Sequence, residues 1–181
     1  MMRNRMLSVL VFVLLIAAAV AGRLMPHVPN FTPLAAVTLF AGVWYARRST
    51  ALLVPLGAML ASDAILGGYD WRLMAVVYVA MMLPVCLRGL LRARLSAWRV
   101  AGAAAGSSVA FYLATNFAHW MWMPGYERSL SGLTACYLAA LPFFKYQLAG
   151  DLAFSAVLFG AYALLTQRSP AESVAQPALT A

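Results

Sequence analysis

Seven polar side chains stand out in a chain that has few of them: Arg23, His27, Asn30, Asp63, Asn116, His119 and Asp151. Two carboxylates, a guanidinium, two amides and two imidazoles can hold a small molecule by charge and hydrogen bonds. The same groups could move protons, with His27 or His119 as acid and base beside Asp63. Motif spacing narrows the choice. No GxSxG, Walker A or GxGxxG stretch occurs, so nucleotide hydrolysis has no recognisable machinery. Two histidines and two cysteines, without CxxC or HExxH, supply no zinc motif. We therefore expect binding and not catalysis, with no metal and no cofactor.

The elements that must position these groups are membrane helices. Of 181 residues, 64% are hydrophobic and 10% charged, and mean hydropathy is +0.82. Such a composition is too apolar for a soluble domain to hide from water. Apolar runs lie at roughly 6–22, 34–46, 51–66, 73–91, 100–118 and 144–166, each near the ~20 residues a helix needs to cross ~30 Å of hydrocarbon. The second and third are short enough to be tilted or packed inside the bundle. No alternation of barrel strands appears, and a spanning backbone must satisfy its own hydrogen bonds. The expectation is an all-α polytopic bundle of about six transmembrane helices, one domain over residues 1–168, with 169–181 a disordered cytoplasmic tail.

Charge orients it. Arg3, Arg5, Arg47, Arg48, Arg88, Arg92, Arg94, Arg99 and Arg168 fall on one side, nine of the thirteen basic residues. Arg23, Arg72, Arg128 and Lys145 fall on the other. The positive-inside rule then puts both termini in the cytoplasm of a bacterial inner membrane. The net charge of +8 is thus a topology signal, and no soluble basic surface for nucleic acid accompanies it. Asp63, Asp70, Glu127 and Asp151 balance the four outer cations. A balanced, aromatic-rich mouth suits a neutral, zwitterionic or amphipathic solute, with membrane lipid as the other neighbour. Residues 1–22 also read as a secretory signal, with Ala19-Val20-Ala21 before Gly22 as a cleavage pattern. Ala17, Ala18 and Ala21 equally suit a retained, packed first helix.

The site residues sit at the outer ends of these helices. Pro26, Pro29 and Pro33 make 26–33 an extended connection, with Thr32 as cap of the second helix. Asn30-Phe31-Thr32 also matches a short glycosylation sequon. Asp63 lies at the hydrocarbon boundary, where a charge needs a compensating partner or cavity; Arg23, Arg72 or a ligand could serve. Asp151 opens the last span, where an acid also complements the helix dipole. Asn116 and His119 share a helix face. Trp120 and Trp122 fit an interfacial belt. The segment 119–143 reads as a separate interfacial or re-entrant helix ended by Pro142, a lid over the mouth. Cys86 and Cys136 fall at opposite ends and cannot pair. Gly102 and Gly106 form a GxxxG face for helix packing or partner docking.

A resemblance follows from Arg23, the Pro26 to Pro33 stretch, Leu39-Phe40-Ala41-Gly42, Pro55-Leu56, Ser62-Asp63, Leu66-Gly67, Thr115-Asn116-Phe117, Trp120, Gly132-Leu133, Cys136-Tyr137, Pro142-Phe143 and Gly150-Asp151. Over roughly 23–160 these resemble an uncharacterised bacterial membrane family described as transport proteins. That family is similar in helix count and length to the substrate-binding S components of energy-coupling-factor (ECF) vitamin transporters, including solitary ones that resemble vitamin B12 importers. The resemblance implies six helices, an outer pocket for a vitamin-like molecule walled by His27, Asn30, Asp63, Asn116 and Asp151, and docking through small residues such as Ala17 and Ala21. Its implied partners are an ECF transmembrane subunit and two ATPases. A secondary transporter coupled to protons through Asp63 or Asp151 is the alternative, and an intramembrane enzyme built on His27 and Asp63 is a third.

Overall fold

The computed structural model describes residues 2–25 and 28–167; His27 and the tail 169–181 lie outside them. Among the described residues there are seven helices and no strand: α1 (Met2–Leu24), α2 (Leu34–Trp44), α3 (Arg48–Leu66), α4 (Trp71–Cys86), α5 (Arg88–Ala93), α6 (Ala97–Trp122) and α7 (Leu130–Gln167). Only Leu87 separates α4 from α5, and Trp71–Ala93 forms one apolar unit. Four helical units are long and apolar enough to cross a membrane: α1, α3, α4 with α5, and α7. The other two of the six expected spans fall short for different reasons. α2 has only 11 residues. α6 has 26, but Arg99, Asn116, His119 and a Gly- and Ser-containing first half dilute its hydropathy.

α2 explains the architecture. Leu34 to Gly42 are buried without exception, as expected of a helix that is apolar on every side. It packs against each of the other six helices. Around it the contacts run α1 to α3, α3 to α4, α4 to α6 and α6 to α7. α1 and α7 do not pack on each other, so the ring is open on one side, along a groove lined by Ala18, Ala21, Gly22, Phe154 and Val157. In α1 it is Ala19 that is buried, while Ala17, Ala18 and Ala21 face outward; the reading of these three as internal packing is corrected. α3, at 19 residues, is also not short, because it continues through the buried Pro55.

The two ends of the bundle differ in chemistry. At one end Arg88 Nη2 donates to the Ala46 carbonyl at 2.7 Å, Arg92 Nε to Val43 at 3.0 Å and Arg99 Nη1 to Leu90 at 3.0 Å. Cations thus satisfy carbonyls that the helix ends and the α2–α3 connection leave open. At the other end α4 is capped by Asp70, whose carboxylate accepts from the amides of Arg72 and Leu73 at 2.9 and 3.3 Å. Trp98 at the arginine end is 89% exposed and Trp71 at the other 71%, the placement of an aromatic belt.

The connection between α1 and α2 is shaped by its sequence. Phe31 N–H donates to the Val28 carbonyl at 3.0 Å, and Asn30 between them has φ 65°. A tight turn with proline second and a left-handed residue third favours this Pro-Asn pair, since asparagine tolerates that region. Two glycines let the turn dock. A Cβ on Gly22 would overlap the Pro33 ring, and one on Gly150 would press on Phe31 at 3.2 Å and on Thr32 N at 3.4 Å. Pro33, not Thr32, stands at the cap of α2, and no side chain caps it.

The segment 119–143 is not a separate lid. α6 runs to Trp122, a short loop follows, and α7 continues from Leu130 through Pro142 to Gln167, 38 residues or about 57 Å of helix. Proline removes one N–H from the ladder, but packing on α6 holds both sides of it. Tyr112 Oη donates to the Tyr137 carbonyl at 2.6 Å and Tyr137 Oη to that of Leu113 at 2.8 Å. Phe144 packs on Tyr112 with ring centroids 4.6 Å apart.

Candidate functional site

At the end of the bundle away from the arginines lies a cavity of about 360 Å³. Its polar lining comes from Arg23 at the end of α1, Asn30 and Thr32 of the turn, and Gln147 and Asp151 of α7. Leu34, Met59, Leu66, Val77, Met81 and Phe111 supply the apolar wall. A side chamber of about 120 Å³ adjoins it, sharing Asn30, Phe111 and Gln147 and adding Tyr112, Thr115, Asn116, Phe143 and Phe144.

Two polar clusters flank this space. In the first, Arg23 Nη2 is 2.6 Å from Asp63 Oδ1 and Nη1 donates to Ser62 Oγ at 2.5 Å. Tyr78 Oη donates to the second carboxylate oxygen at 2.9 Å. Both oxygens of Asp63 are engaged and the group is 7% exposed, so the cluster ties α1, α3 and α4 together. Arg23 rather than Arg72 is the partner; Arg72 lies over the Trp71 ring at 5.6 Å. Tyr69, in the loop after α3, has its phenol pKa pushed up by burial first and by the Asp63 charge second, against the pull of Arg23.

The second cluster is less complete. Ser108 Oγ lies 2.6 Å from Asp151 Oδ2 and 3.0 Å from the Ala104 carbonyl, and its one proton serves the shorter contact. Asp151 is 3% exposed and forms no ion pair among the described residues. Gln147, one turn earlier on the same helix face, is 5% exposed, and its Nε2 makes no hydrogen bond. Groups of three or more metal-ligating side chains are absent among the described residues.

The sequence-derived residues therefore separate. Arg23, Asn30 and Asp151 line the main cavity, Asn30 and Asn116 the side chamber, and Asp63 sits behind Arg23. The Asn116 amide also donates to the Tyr112 carbonyl at 2.8 Å on its own helix. His119 lines neither chamber and packs on Tyr126, ring centroids 6.2 Å apart. His27 lies outside the described residues. Trp120 turns away to donate to the Glu127 carbonyl at 2.8 Å, under Arg128. Both cysteines are free, Cys86 exposed and Cys136 buried. Four contributors escaped the sequence reading: Tyr78, Ser108, Phe111 and Gln147. Only Gln147 carried a signal, an amide four residues before an acid on an apolar helix.

A helical bundle with four helical units long and apolar enough to cross a membrane, enclosing a partly polar cavity at one end, is compatible with a multi-pass membrane protein. Residues 3–174 match the profile of a family of unknown function, DUF6580, and the chain belongs to that family. No curated protein and no solved structure matches it.

Proposed function

We propose that this protein is a membrane-embedded solute-binding protein that captures a small, vitamin-like polar molecule for uptake. The observation that carries the reading is the cavity of about 360 Å³, within the size range of small-molecule sites, where buried Gln147 and Asp151 face a polar turn inside an apolar bundle. In this reading six helical units lie in a bacterial inner membrane with both termini and the arginine end in the cytoplasm, and the cavity opens outward. α2 stays central and short, and α6 crosses with its sides covered by α4 and α7. Nothing in the chain supplies energy, so transport needs a partner of the ECF type, a transmembrane subunit with ATPases. The outward-facing Ala17, Ala18 and Ala21 are a face on which a partner helix can approach closely.

A second reading is a secondary transporter coupled to protons, favoured by a buried carboxyl at Asp151 without an ion pair among the described residues. The enzyme reading, with His27 or His119 as acid and base beside Asp63, has less support, since His119 lines neither chamber. Native mass spectrometry of the detergent-purified protein tests the proposal. A co-purifying small molecule should be retained by the wild type and lost from Gln147→Ala and Asp151→Ala. A deletion strain should show an uptake defect. No retained molecule together with normal uptake rejects the reading, and uptake that follows an imposed proton gradient without a partner favours the second.

A further inference from the structure

We propose that the solute is a small organic cation and that Asp151 is the residue that selects it. The inference rests on the solute-binding reading and adds the chemical class. Its basis is an imbalance of charge around the cavity. Of the two buried acids, Asp63 is neutralised by Arg23 at 2.6 Å, and Tyr78 takes its remaining oxygen. Asp151 forms no ion pair among the described residues: Ser108 donates to it, and the Gln147 amide lies beside it without completing a hydrogen bond. The other outer cations point elsewhere, Lys145 over the Tyr146 ring at 4.8 Å, Arg72 over Trp71 and Arg128 over Trp120. Counting Asp63 behind Arg23, two acids therefore stand against one guanidinium around the cavity. An unpaired buried carboxylate is expensive, and a cationic guest relieves that expense as it binds.

Three further observations restrict the guest. Gln147 Nε2, buried beside Asp151 on both chambers, makes no hydrogen bond among the described residues, so the guest should carry an acceptor such as a hydroxyl or carbonyl. Phe111, Tyr112, Phe143 and Phe144 gather in the side chamber next to this amide, and aromatic faces attract organic cations. The main wall is otherwise apolar, with Met59, Val77 and Met81 among its members. A hydrated metal ion gains little there, and no cluster of three ligating side chains occurs among the described residues to replace its water.

The test measures binding to the full-length protein in detergent by calorimetry and thermal shift. The probes are choline, N-methylpyridinium, sodium, dimethylbutanol as the uncharged isostere of choline, and dimethylbutyrate as an anion. We expect the organic cations to bind roughly tenfold or more tightly than dimethylbutanol. Asp151→Asn, which keeps the shape and a partner for Ser108, should erase the preference. Phe111→Leu should weaken the cations and spare dimethylbutanol; it serves as an independent check if Asp151→Asn folds poorly. Val77→Phe should block every probe by filling the cavity. Equal or tighter binding of the neutral or anionic probe, or of sodium, overturns the cation assignment while leaving the cavity reading standing. A cation preference that survives Asp151→Asn overturns the role of Asp151. Binding unaffected by Val77→Phe, or no binding by any probe, removes the solute-binding reading and the cation with it.

Discussion

The two acidic clusters flanking the cavity use the same residue type at the same end of the bundle and reach opposite outcomes. Asp63 has an arginine, a tyrosine and a neighbouring serine around it, drawn from three helices. Asp151 has one serine from one helix, an amide with an unused donor, and an opening into the cavity. The difference lies in compensation. A paired buried acid is a tie between helices, whereas an unpaired one facing a cavity is incomplete without something else. In the proposed reading the contrast makes Asp63 a positioning element and Asp151 the site.

Breaking the first cluster should have the largest effect. Arg23→Ala or Asp63→Ala leaves an uncompensated buried charge and should destabilise the protein by roughly 3–5 kcal/mol, read as thermal unfolding in detergent. The double replacement Arg23→Met with Asp63→Leu should recover much of that loss. If both single variants unfold like the wild type, the tie has no energetic content. Next in size, Gly22→Ala forces the new methyl into the Pro33 ring, an overpacking worth about 1–3 kcal/mol. Because the displaced turn carries Asn30, solute retention should fall with it.

The second cluster should respond in the opposite sense. Asp151→Leu or Asp151→Asn removes a charge without orphaning a charged partner, Ser108 keeping the Ala104 carbonyl as acceptor, so stability should stay within about 1 kcal/mol of wild type or rise, while solute retention is lost. A loss as large as that of Asp63→Ala would erase the distinction between the clusters. The smallest effect concerns pH. The Tyr69 phenol, with its pKa raised by burial and by Asp63, stays protonated in the fold where an unfolded tyrosine, at about 10, ionises. Its contribution is therefore intact below that value and lost as pH rises through the folded pKa. Tyr69→Phe should make alkaline unfolding shallower, and unchanged alkaline unfolding would detach Tyr69 from the cluster.

Much of this arrangement was legible before any coordinates, because hydropathy and arginine placement are local properties. Six apolar runs fell on the seven helices, α4 and α5 sharing one, and arginines separated the two ends of the bundle, since both signals survive without knowing which helix touches which. Errors arose where packing overrode a local cue. Pro142 read as a helix end, but the Tyr112 and Tyr137 bonds to α6 carry α7 past it. Ala17, Ala18 and Ala21 read as an internal face, but the helix is rotated so that Ala19 packs inward. Gly102 and Gly106 line a groove between α4 and α6, with no atom within 4 Å of a Cβ built on either, although a GxxxG pattern alone suits close packing.

The sequence by itself determined the helical class, the polar end and the identity of most of the polar groups gathered there, since composition and spacing set which segments avoid water and which residues cap them. Only the tertiary structure decided which polar group meets which. Arg23 lies 40 positions from Asp63 and Ser108 lies 43 from Asp151, and no local pattern links residues so far apart. Those pairings follow from which helices pack together around α2, and they leave one carboxylate compensated and the other open to the cavity.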